Sequence, residues 1–304
     1  MNVIVTGATG FVGQYLVKEF QKRGDEVTVL IRDKNKAIGL WKASPAIIEC
    51  SLSDVQILDK SVFEKERYDI WVHLGWDGTS GDKRADIQLQ LNNVQYTCAS
   101  VKMAYDLGCK RFINAGSIME YEAVANLLGD VDTVGMGSIY SVAKLTADMM
   151  AKTYAFNLKM DYINVIISNI YGVGERSARF LNTIIRKMLK NEKISMTAGI
   201  QLYDFIYVTD AVKAIVLAAD KGENGLSYYI GNIQQKQLKE FVIELKECLK
   251  SGSELAFGEI PLTGKNITYE EFDKKRLYDL GFVPEIDFET GALMVAEWIK
   301  EGEK

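Results

Sequence analysis

The sequence predicts an α/β fold with a doubly wound parallel sheet, and three observations support this. In the first two thirds of the chain, short β-branched runs alternate with longer amphipathic runs, which is the pattern of parallel strands joined by crossover helices. The runs VIV (3–5), VTVLI (27–31) and IWVHL (70–74) are apolar without alternation, as strands covered on both faces are. Glycines separate the first strand-like run from the first helical run, which indicates a tight strand-to-helix turn.

The predicted elements follow this alternation along the chain. Strands are expected at NVIVTG (2–7), EVTVLIR (26–32), YDIWVHLG (68–75), RFINAGS (111–117) and DYINVIISNIYG (161–172), and the first helix at FVGQYLVKEFQKRG (11–24). After about residue 170 the alternation loosens into the helical runs RFLNTIIRKMLKNEKI (179–194) and LKEFVIELKECLK (238–250), with a strand-like run at QLYDFIYVTD (201–210). The sequence therefore predicts a first domain of residues 1–168 and 204–224, and a smaller α/β part of residues 169–203 and 225–304.

The composition argues against several classes of protein. The chain has 304 residues, 48% of them hydrophobic, and a formal net charge of −5, so it lacks the basic surplus that nucleic-acid binding requires. Its four cysteines lack CxxC spacing, and with His73 as the single histidine they form no conventional zinc set, so no metal is expected. No run approaches the roughly 18 apolar residues of a membrane helix, and the first residues do not resemble a signal peptide. We expect a cytoplasmic protein that binds no membrane.

The glycine-rich loop is the first functional signal. Gly7, Gly10 and Gly13 form G-x-x-G-x-x-G between the first strand and the first helix. Glycine is needed there because the backbone must turn sharply and let a pyrophosphate approach the helix N-terminus. Glycines also serve turns that bind nothing, but this strand-loop-helix context favours dinucleotide binding.

The end of the second strand bears on which dinucleotide is bound. An acidic residue there accepts hydrogen bonds from the adenosine ribose, whereas a basic residue pairs with a 2′-phosphate. In LIRDKNK (30–36), Arg32 stands where the acid is expected, and Asp33, Lys34 and Lys36 follow it. This pattern favours NADP over NAD, and a solvated charged turn is the competing interpretation.

A tyrosine and a lysine four residues apart, Tyr140 and Lys144, begin a predicted helix and project from the same face. An ammonium near a phenol favours the phenolate, so this tyrosine can exchange a proton with an alcohol or ketone oxygen. The pair alone is a weak signal. Ser117, at the end of the strand RFINAGS, adds a hydroxyl that can hydrogen-bond the same oxygen, and the chain then holds cofactor loop, hydroxyl and acid/base pair in a sensible order.

At this point the sequence resembles the extended short-chain dehydrogenase/reductase family, in its nucleotide-sugar or NAD-dependent epimerase/dehydratase branch. The matching motifs are TGATGFVG (6–13), HLGW (73–76) for HLAA, NVQYT (93–97) for NVxGT, YSVAK (140–144), NIYGVG (169–174) for NVYGPG and QLYDFIYVTD (201–210) for QxRDFxYVxD. The resemblance covers nearly the whole chain, and as an ordered set these motifs are specific.

The resemblance implies a Rossmann-like fold and a role for each matching position. Tyr140 would be the acid/base, Lys144 its electrostatic partner and a ribose ligand, and Ser117 a substrate ligand. The expected cofactor-binding residues are Gly7, Thr9, Gly10, Phe11, Val12, Gly13, Arg32, Ser51, Leu52, Leu74, Gly75, Asn93, Tyr140 and Lys144. The expected substrate-binding residues are Asn169, Arg179 and Tyr203.

Several positions depart from the family pattern. Ser51 replaces an aspartate at the adenine, and Ile166 and Tyr203 replace arginines that often meet the substrate diphosphate, a task then left to Arg176, Arg179 or Arg186. The segment GSIME (116–120) lacks the Thr-Asp-Glu pattern of dehydratases, which disfavours that activity. Glu120 is expected to be a solvated loop residue, with a second acid/base near Ser117 as the alternative, and His73 is expected to have a structural or cofactor-loop role.

Three enzyme readings remain open. The favoured one is an NADP-dependent oxidoreductase that reduces the 4-keto group of a nucleotide-linked 6-deoxy sugar. The alternatives are a nucleotide-sugar 4-epimerase and a reductase of a smaller carbonyl compound, and a sensor without catalysis is disfavoured by the intact serine, tyrosine and lysine. In the family, the helices that correspond to NNVQYTCASVKMAYDLG (92–108) and SIYSVAKLTADMMAKTYAFN (138–157) pair across a dimer axis, so a homodimer is expected.

Overall fold

The computed structural model describes residues 1–128, 135–262, 269–270 and 272–302. The strands are β1 (Asn2–Thr6), β2 (Glu26–Ile31), β3 (Ala46–Glu49), β4 (Ile70–His73), β5 (Arg111–Ser117), β6 (Asp161–Ile167), β7 (Ile170–Tyr171), β8 (Ile194–Met196), β9 (Leu202–Tyr203), β10 (Ile206–Tyr207), β11 (Ser227–Ile230), β12 (Lys236–Gln237) and β13 (Leu255–Phe257). The helices are α1 (Phe11–Lys22), α2 (Ile87–Asp106), α3 (Met119–Leu128), α4 (Ser138–Asn157), α5 (Phe180–Leu189), α6 (Val208–Lys221), α7 (Leu238–Cys248), α8 (Lys275–Asp279) and α9 (Phe288–Lys300). Short 3₁₀ turns span Lys34–Ala37, Leu52–Ile57, Lys60–Val62 and Gly81–Ala85.

Seven strands of the described chain form the central sheet, in the order β11-β6-β5-β4-β1-β2-β3. The pairs from β6 across to β3 are parallel. The strand order runs outward in both directions from β1 and β4, so a crevice is expected at the carboxyl ends of these two strands. The predicted doubly wound α/β fold is confirmed.

The chain divides into two compact units, residues 1–167 with 212–229 and residues 168–211 with 230–304. The segment that returns to the first unit comprises residues 212–229, whereas the sequence predicted residues 204–224. The assignment of dinucleotide to the first unit and substrate to the second stays a prediction.

The core of the first unit is made by continuous apolar strands and by the inner faces of its helices. The strand residues Val3, Ile4 and Val5 are fully buried, because helices cover both faces of a parallel sheet. On one face, the register places Trp71 beside Phe112 and Phe112 beside Tyr162. Their rings stack at centroid distances of 6.5 and 6.1 Å, a cross-strand aromatic row that fixes the spacing of β4, β5 and β6.

The second unit is held by short strand pairs and an aromatic cluster. β7 pairs with β10 and β8 with β13 in parallel, while β9 and β12 are antiparallel. Phe205, Phe241 and Phe288 contact one another with ring centroids 4.8 to 5.4 Å apart, and Tyr171 joins them. The buried Asp210 accepts the backbone N–H groups of Glu285 and Ile286, which ties the segment before α9 to the start of α6.

Within the described residues, no helix is long and apolar enough to span a membrane.

Candidate active site

The glycine loop joins β1 to α1 at the carboxyl edge of the sheet. Gly7 has φ +71°, a left-handed conformation that favours glycine, and a Cβ there would lie 2.8 Å from the backbone of Leu74 and Gly75. A Cβ on Gly13 would lie 2.8 Å from the Cα of Ala8 and even closer to the carbonyl oxygen of Gly7. The loop, the first helical turn and the end of β4 therefore pack backbone against backbone.

The first turn of α1 fits an anionic group. Its N-cap residue, Gly10, supplies no capping side chain, and the turn contains no acidic residue. The positive end of the helix dipole and its backbone N–H groups thus remain uncompensated by protein charge, as a pyrophosphate-binding turn requires. Thr9, Phe11 and Val12 lie in this loop and turn, and these residues would hold the pyrophosphate of a dinucleotide.

At the carboxyl end of β2, the side chains of Arg32 and Asp33 each have a partner within the protein. Arg32, with a side chain 64% exposed, forms an ion pair of 3.0 Å with Asp77, from the loop after β4. Asp33 turns away and accepts the N–H of Asn35, capping the turn Lys34–Ala37. Of the basic and acidic residues at this strand end, Arg32 is therefore the one directed towards the loop after β4.

Ser51, Leu52, Leu74 and Gly75 line the neighbouring strand ends. The hydroxyl of Ser51 lies 2.5 Å from that of Ser53 and donates to Asp54 at 2.6 Å. Leu52 is in tight packing with the end of β4, since a Cβ on Gly75 would lie 3.0 Å from its methyl groups.

Asn93 clamps the loop that follows β4. Its side-chain oxygen Oδ1 accepts the backbone N–H of Asp77 at 3.0 Å, and its side-chain amide Nδ2 donates to the backbone carbonyl of Asp77 at 2.8 Å. Because both polar ends of the buried Asn93 are used on this backbone, the structure gives it a positioning role at the cofactor edge.

His73, the single histidine, is buried, and both of its ring nitrogens are hydrogen-bonded. Its Nδ1 lies 2.9 Å from the Thr6 hydroxyl and its Nε2 lies 3.3 Å from the Thr97 hydroxyl. Thr97 donates its own proton to the Asn93 carbonyl, so we assign the ring proton to Nε2, with Nδ1 accepting from Thr6. Burial, reinforced by the charge of Lys144, lowers the pKa of His73 to about 3, so the ring is neutral and structural.

Ser117, Tyr140 and Lys144 all lie in the first unit, at the end of β5 and on the first turns of α4. Each is buried, and the Ser117 hydroxyl accepts the N–H of Met119 at 3.2 Å. Lys144 Nζ donates to the Ala115 carbonyl at 2.9 Å, two residues before Ser117. Burial lowers the pKa of Lys144 to about 8, and the neighbouring Glu120 opposes that fall.

Two side chains that the sequence analysis did not single out, Trp76 and Arg84, contact the ring of Tyr140. The Lys144 ammonium lies 3.8 Å from the ring centroid of Trp76, whose edge faces the ring of Tyr140 at 6.1 Å. On Tyr140 itself, the Arg84 guanidinium lies 4.6 Å from the ring centroid. Trp76 stands where the family has alanine in HLAA, and that substitution was the signal available in the sequence.

The interpretation of Glu120 as a solvated loop residue is wrong. Glu120 lies in the first turn of α3, is 3% exposed, and accepts hydrogen bonds from the Ser117 N–H at 2.8 Å and the Asn164 amide at 3.2 Å. Burial, with the Asp148 carboxyl adding to it, raises the pKa of Glu120 to about 8. The charge of Lys144 acts in the opposite direction and favours the ionised carboxylate.

The predicted substrate residues lie in the second unit. Asn169 donates to the buried Asp204 at 3.4 Å, and Tyr203 is half-buried, with its pKa raised by burial. Arg179, at the N-terminus of α5, is 48% exposed and lies 3.5 Å from Glu175. Arg179 thus keeps an exposed guanidinium in this unit.

The parallel sheet, the glycine loop at its switch point and the buried tyrosine and lysine define the class of dinucleotide-binding α/β enzymes. The sequence profile of the NAD dependent epimerase/dehydratase family matches residues 3–233, and the chain belongs to that family of extended short-chain dehydrogenases/reductases.

Known proteins of similar sequence and structure agree. CDP-abequose synthase of Salmonella typhimurium is 25% identical over 298 residues, which cover 95% of each chain. UDP-glucose 4-epimerase of Thermotoga maritima, solved with UDP-glucose, superposes with a TM-score of 0.80 at 19% identity over 100% of both chains. UDP-glucose 4-epimerase of Thermus thermophilus, solved with NAD, gives a TM-score of 0.78 at 17% identity over 99% of both chains.

Proposed function

We propose that this enzyme is an NADP(H)-dependent reductase acting on the 4-keto group of a nucleotide-linked 6-deoxy sugar. The observation that carries the proposal is the arrangement of Ser117, Tyr140 and Lys144 at the end of β5 and the start of α4, in the same unit as the glycine loop. The similarity in sequence to a synthase of a CDP-linked sugar supports the substrate class.

In this proposal the protein's own residues position and protonate the substrate oxygen. Tyr140 gives its proton to the oxygen of the reacting carbonyl, and Ser117 donates a hydrogen bond to the same oxygen. Lys144 stabilises the phenolate that remains, because an ammonium near a phenolate lowers its energy. Bound nicotinamide supplies the reducing equivalent to the sugar carbon. Half-buried Trp76 limits water beside Tyr140.

The preference for NADP rests on the carboxyl end of β2. The exposed guanidinium of Arg32 is available to a 2′-phosphate, and Lys34 and Lys36 lie close in sequence. Asp77 already pairs with Arg32, which fixes the guanidinium near the loop after β4. The substitution Arg32→Ala should raise KM for NADPH at least about tenfold and leave KM for NADH nearly unchanged.

The substrate diphosphate requires cationic donors, and the exposed Arg179 is our choice among the second unit's arginines. We also propose that the protein acts in the cytoplasm. We also propose a homodimer built on α2 and α4, since both helices expose large apolar residues, among them Leu91 and Val142.

The decisive experiment identifies the cofactor that copurifies and then follows NADPH consumption with a panel of nucleotide-linked 4-keto-6-deoxy sugars. Stoichiometric NADPH oxidation with formation of the alcohol supports the proposal. Tightly bound NAD, no net consumption and interconversion of 4-epimers would instead establish the epimerase, which the likeness in fold to two 4-epimerases keeps in view. NADPH oxidation with small ketones alone would move the substrate outside the nucleotide sugars.

A further inference from the structure

The buried carboxylate of Glu120 lies directly behind the catalytic strand end. It belongs to the first turn of α3, whereas Ser117 ends β5 and Lys144 lies on α4. Its oxygen Oε1 accepts the backbone N–H of Ser117 at 2.8 Å, and Oε2 accepts the side-chain amide of Asn164 on β6 at 3.2 Å. One side chain therefore joins three elements of the site's wall.

Glu120 and Lys144 hold the same three-residue stretch of backbone. Lys144 Nζ donates to the carbonyl of Ala115, and Glu120 accepts from the N–H of Ser117. Between them Gly116 has no room for a side chain, because a Cβ there would lie 2.7 Å from the Glu120 carboxylate and 2.6 Å from the Asn164 side chain. The carboxylate thus packs on the peptide that leads to the catalytic serine.

The hydrogen bonds favour the ionised form of Glu120. Both carboxyl oxygens face N–H donors, and a carboxylate accepts hydrogen bonds better than a neutral acid does. Burial acts in the opposite direction and raises the pKa of Glu120 to about 8, so its carboxyl ionises as pH rises through the range in which Lys144 titrates. A buried carboxylate formed there requires a cationic partner. Two titratable groups act on Glu120 from α4, Lys144 and Asp148. Asp148 accepts a hydrogen bond from the Tyr162 hydroxyl. His73, which lies near Lys144, is neutral. Lys144 is the cation of this set.

We propose that Glu120 is a positioning residue of the acid/base centre, which fixes the strand end that carries Ser117 and, once ionised, supplies the buried counter-charge that holds the proton on Lys144 into the alkaline range. The inference rests on the proposed function for its kinetic consequences, and its electrostatic part concerns Lys144 alone. Glu120 does not exchange a proton with substrate in this scheme; it acts through Ser117 and Lys144.

The first test is independent of any substrate. Lysines labelled with ¹³C at the ε-carbon are titrated by NMR from pH 6 to pH 11, with Lys144→Arg used to assign the Lys144 signal. In Glu120→Gln the Lys144 signal should titrate about one pH unit lower than in the wild type, because an opposite charge has been removed. An unchanged Lys144 titration overturns the counter-charge role.

The second test separates charge from geometry in the kinetics. The active form of Lys144 is protonated, and it is lost as pH rises through its pKa. Glu120→Gln lowers that pKa, so the alkaline limb of kcat/KM should move to lower pH. Glu120→Asp keeps the charge but is one methylene too short to reach the Ser117 N–H; its alkaline limb should stay near that of the wild type while kcat falls about tenfold.

The matched control is Glu122→Gln, which removes the same charge from the same helix. Glu122 accepts from the hydroxyls of Ser141 and Ser138, both on α4. Its kcat/KM profile and Lys144 titration should match those of the wild type. Thermal melting curves check that both Glu120 variants are folded. Wild-type kcat and a wild-type pH profile of kcat/KM in both variants would overturn the proposal. If Glu120→Gln shifts the Lys144 titration as expected but the wild type turns over no sugar, the proposed function is refuted and the interaction between Glu120 and Lys144 stands.

Discussion

The ring of Tyr140 contacts an arginine and an indole, and the indole in turn contacts Lys144. Arg84 lies over the ring and Trp76 meets it edge-on, while Lys144 is held by the Ala115 carbonyl and by the face of Trp76. An arginine stays charged at every working pH, whereas buried Lys144, with a pKa of about 8, does not. At the residue scale, a permanent cation therefore lies over the ring of Tyr140, and a second cation, which titrates, lies on the neighbouring indole.

Substitution of Tyr140 by Phe removes the proton donor and leaves the ring and its packing in place. Turnover should fall at least about 10²-fold, because positioned acid/base groups contribute that much, and NADPH binding should persist. Steady-state kinetics and a fluorescence titration of bound NADPH measure the two effects. The exposed Tyr105 supplies the control, since Tyr105→Phe should match the wild type. Retained turnover in Tyr140→Phe would contradict an enzyme that uses this phenol.

His73 makes the stability of the protein depend on pH. Its pKa falls from 6.5 when unfolded to about 3 when folded, so the unfolded state binds more protons between these values. The folded state is therefore progressively destabilised as pH drops below about 6.5, by up to about 1.4 kcal/mol per pH unit from this group. Glu120 acts in the opposite direction over part of that range, so a difference between variants is needed to isolate the histidine.

The comparison is urea unfolding of the wild type and His73→Gln at pH 7, 6, 5 and 4. The variant loses packing and starts less stable, but its free energy of unfolding should decline less steeply on acidification. Parallel curves for the two proteins would show that His73 does not drive the acid sensitivity.

At the scale of elements, the glycine loop is the best-specified part of the site. Its position between β1 and α1, its phosphate-compatible helix turn and its close packing on β4 all follow from glycines at fixed spacing. Five strands of the central sheet, β1, β2, β4, β5 and β6, were equally readable, because strands buried on both faces give uninterrupted apolar runs. β3 and β11 were not among the expected strands, and β3 is too exposed to give such a run.

Other features could not be read from the sequence. The run after Ser117 forms α3, and its acidic residues suggested solvent; Glu120 is buried because β5, β6 and α4 enclose it, which local sequence does not encode. The positions of Arg84 and Trp76 around Tyr140 likewise depend on the path of the loop after β4. Local pattern predicts elements and motifs, whereas side chains that meet from distant elements require the tertiary structure.

Gly13→Ala tests the packing of the loop on α1. The added methyl would collide with the Gly7 carbonyl oxygen and approach Ala8 Cα to 2.8 Å, so the loop must shift. Affinity for NADPH should fall at least tenfold, or about 1.4 kcal/mol, in a fluorescence titration. Gly135→Ala is the control: among the described residues, nothing lies within 4 Å of a Cβ there, and the substitution should leave affinity unchanged. Equal affinities of the two variants would argue against this loop as the pyrophosphate site.

At the scale of the whole molecule, one apolar surface of the first unit stands out. A groove of about 310 Å³ lies between α2 and the start of α4, lined by side chains such as Leu91, Val94, Ile139 and Val142. Leu91 and Val142 are more than half exposed, and a stable dimer needs an apolar centre of this kind.

Light scattering after size-exclusion chromatography tests the dimer proposed for this surface. The wild type should run as a dimer, and Val142→Glu should run as a monomer because it places a charge in the centre of the interface. Val283→Glu makes the same change at a valine of the second unit that is 71% exposed, and should leave the dimer intact. A monomeric wild type would refute the dimer, and a dimeric Val142→Glu would place the contact between copies elsewhere.

The contact between the Lys144 ammonium and the Trp76 indole gives the protein an intrinsic optical reporter. An indole's emission responds to a charge held over its face, and here that charge disappears when Lys144 loses its proton. The part of the tryptophan fluorescence that Trp76→Phe removes therefore reports the protonation state of Lys144, without label, substrate or turnover.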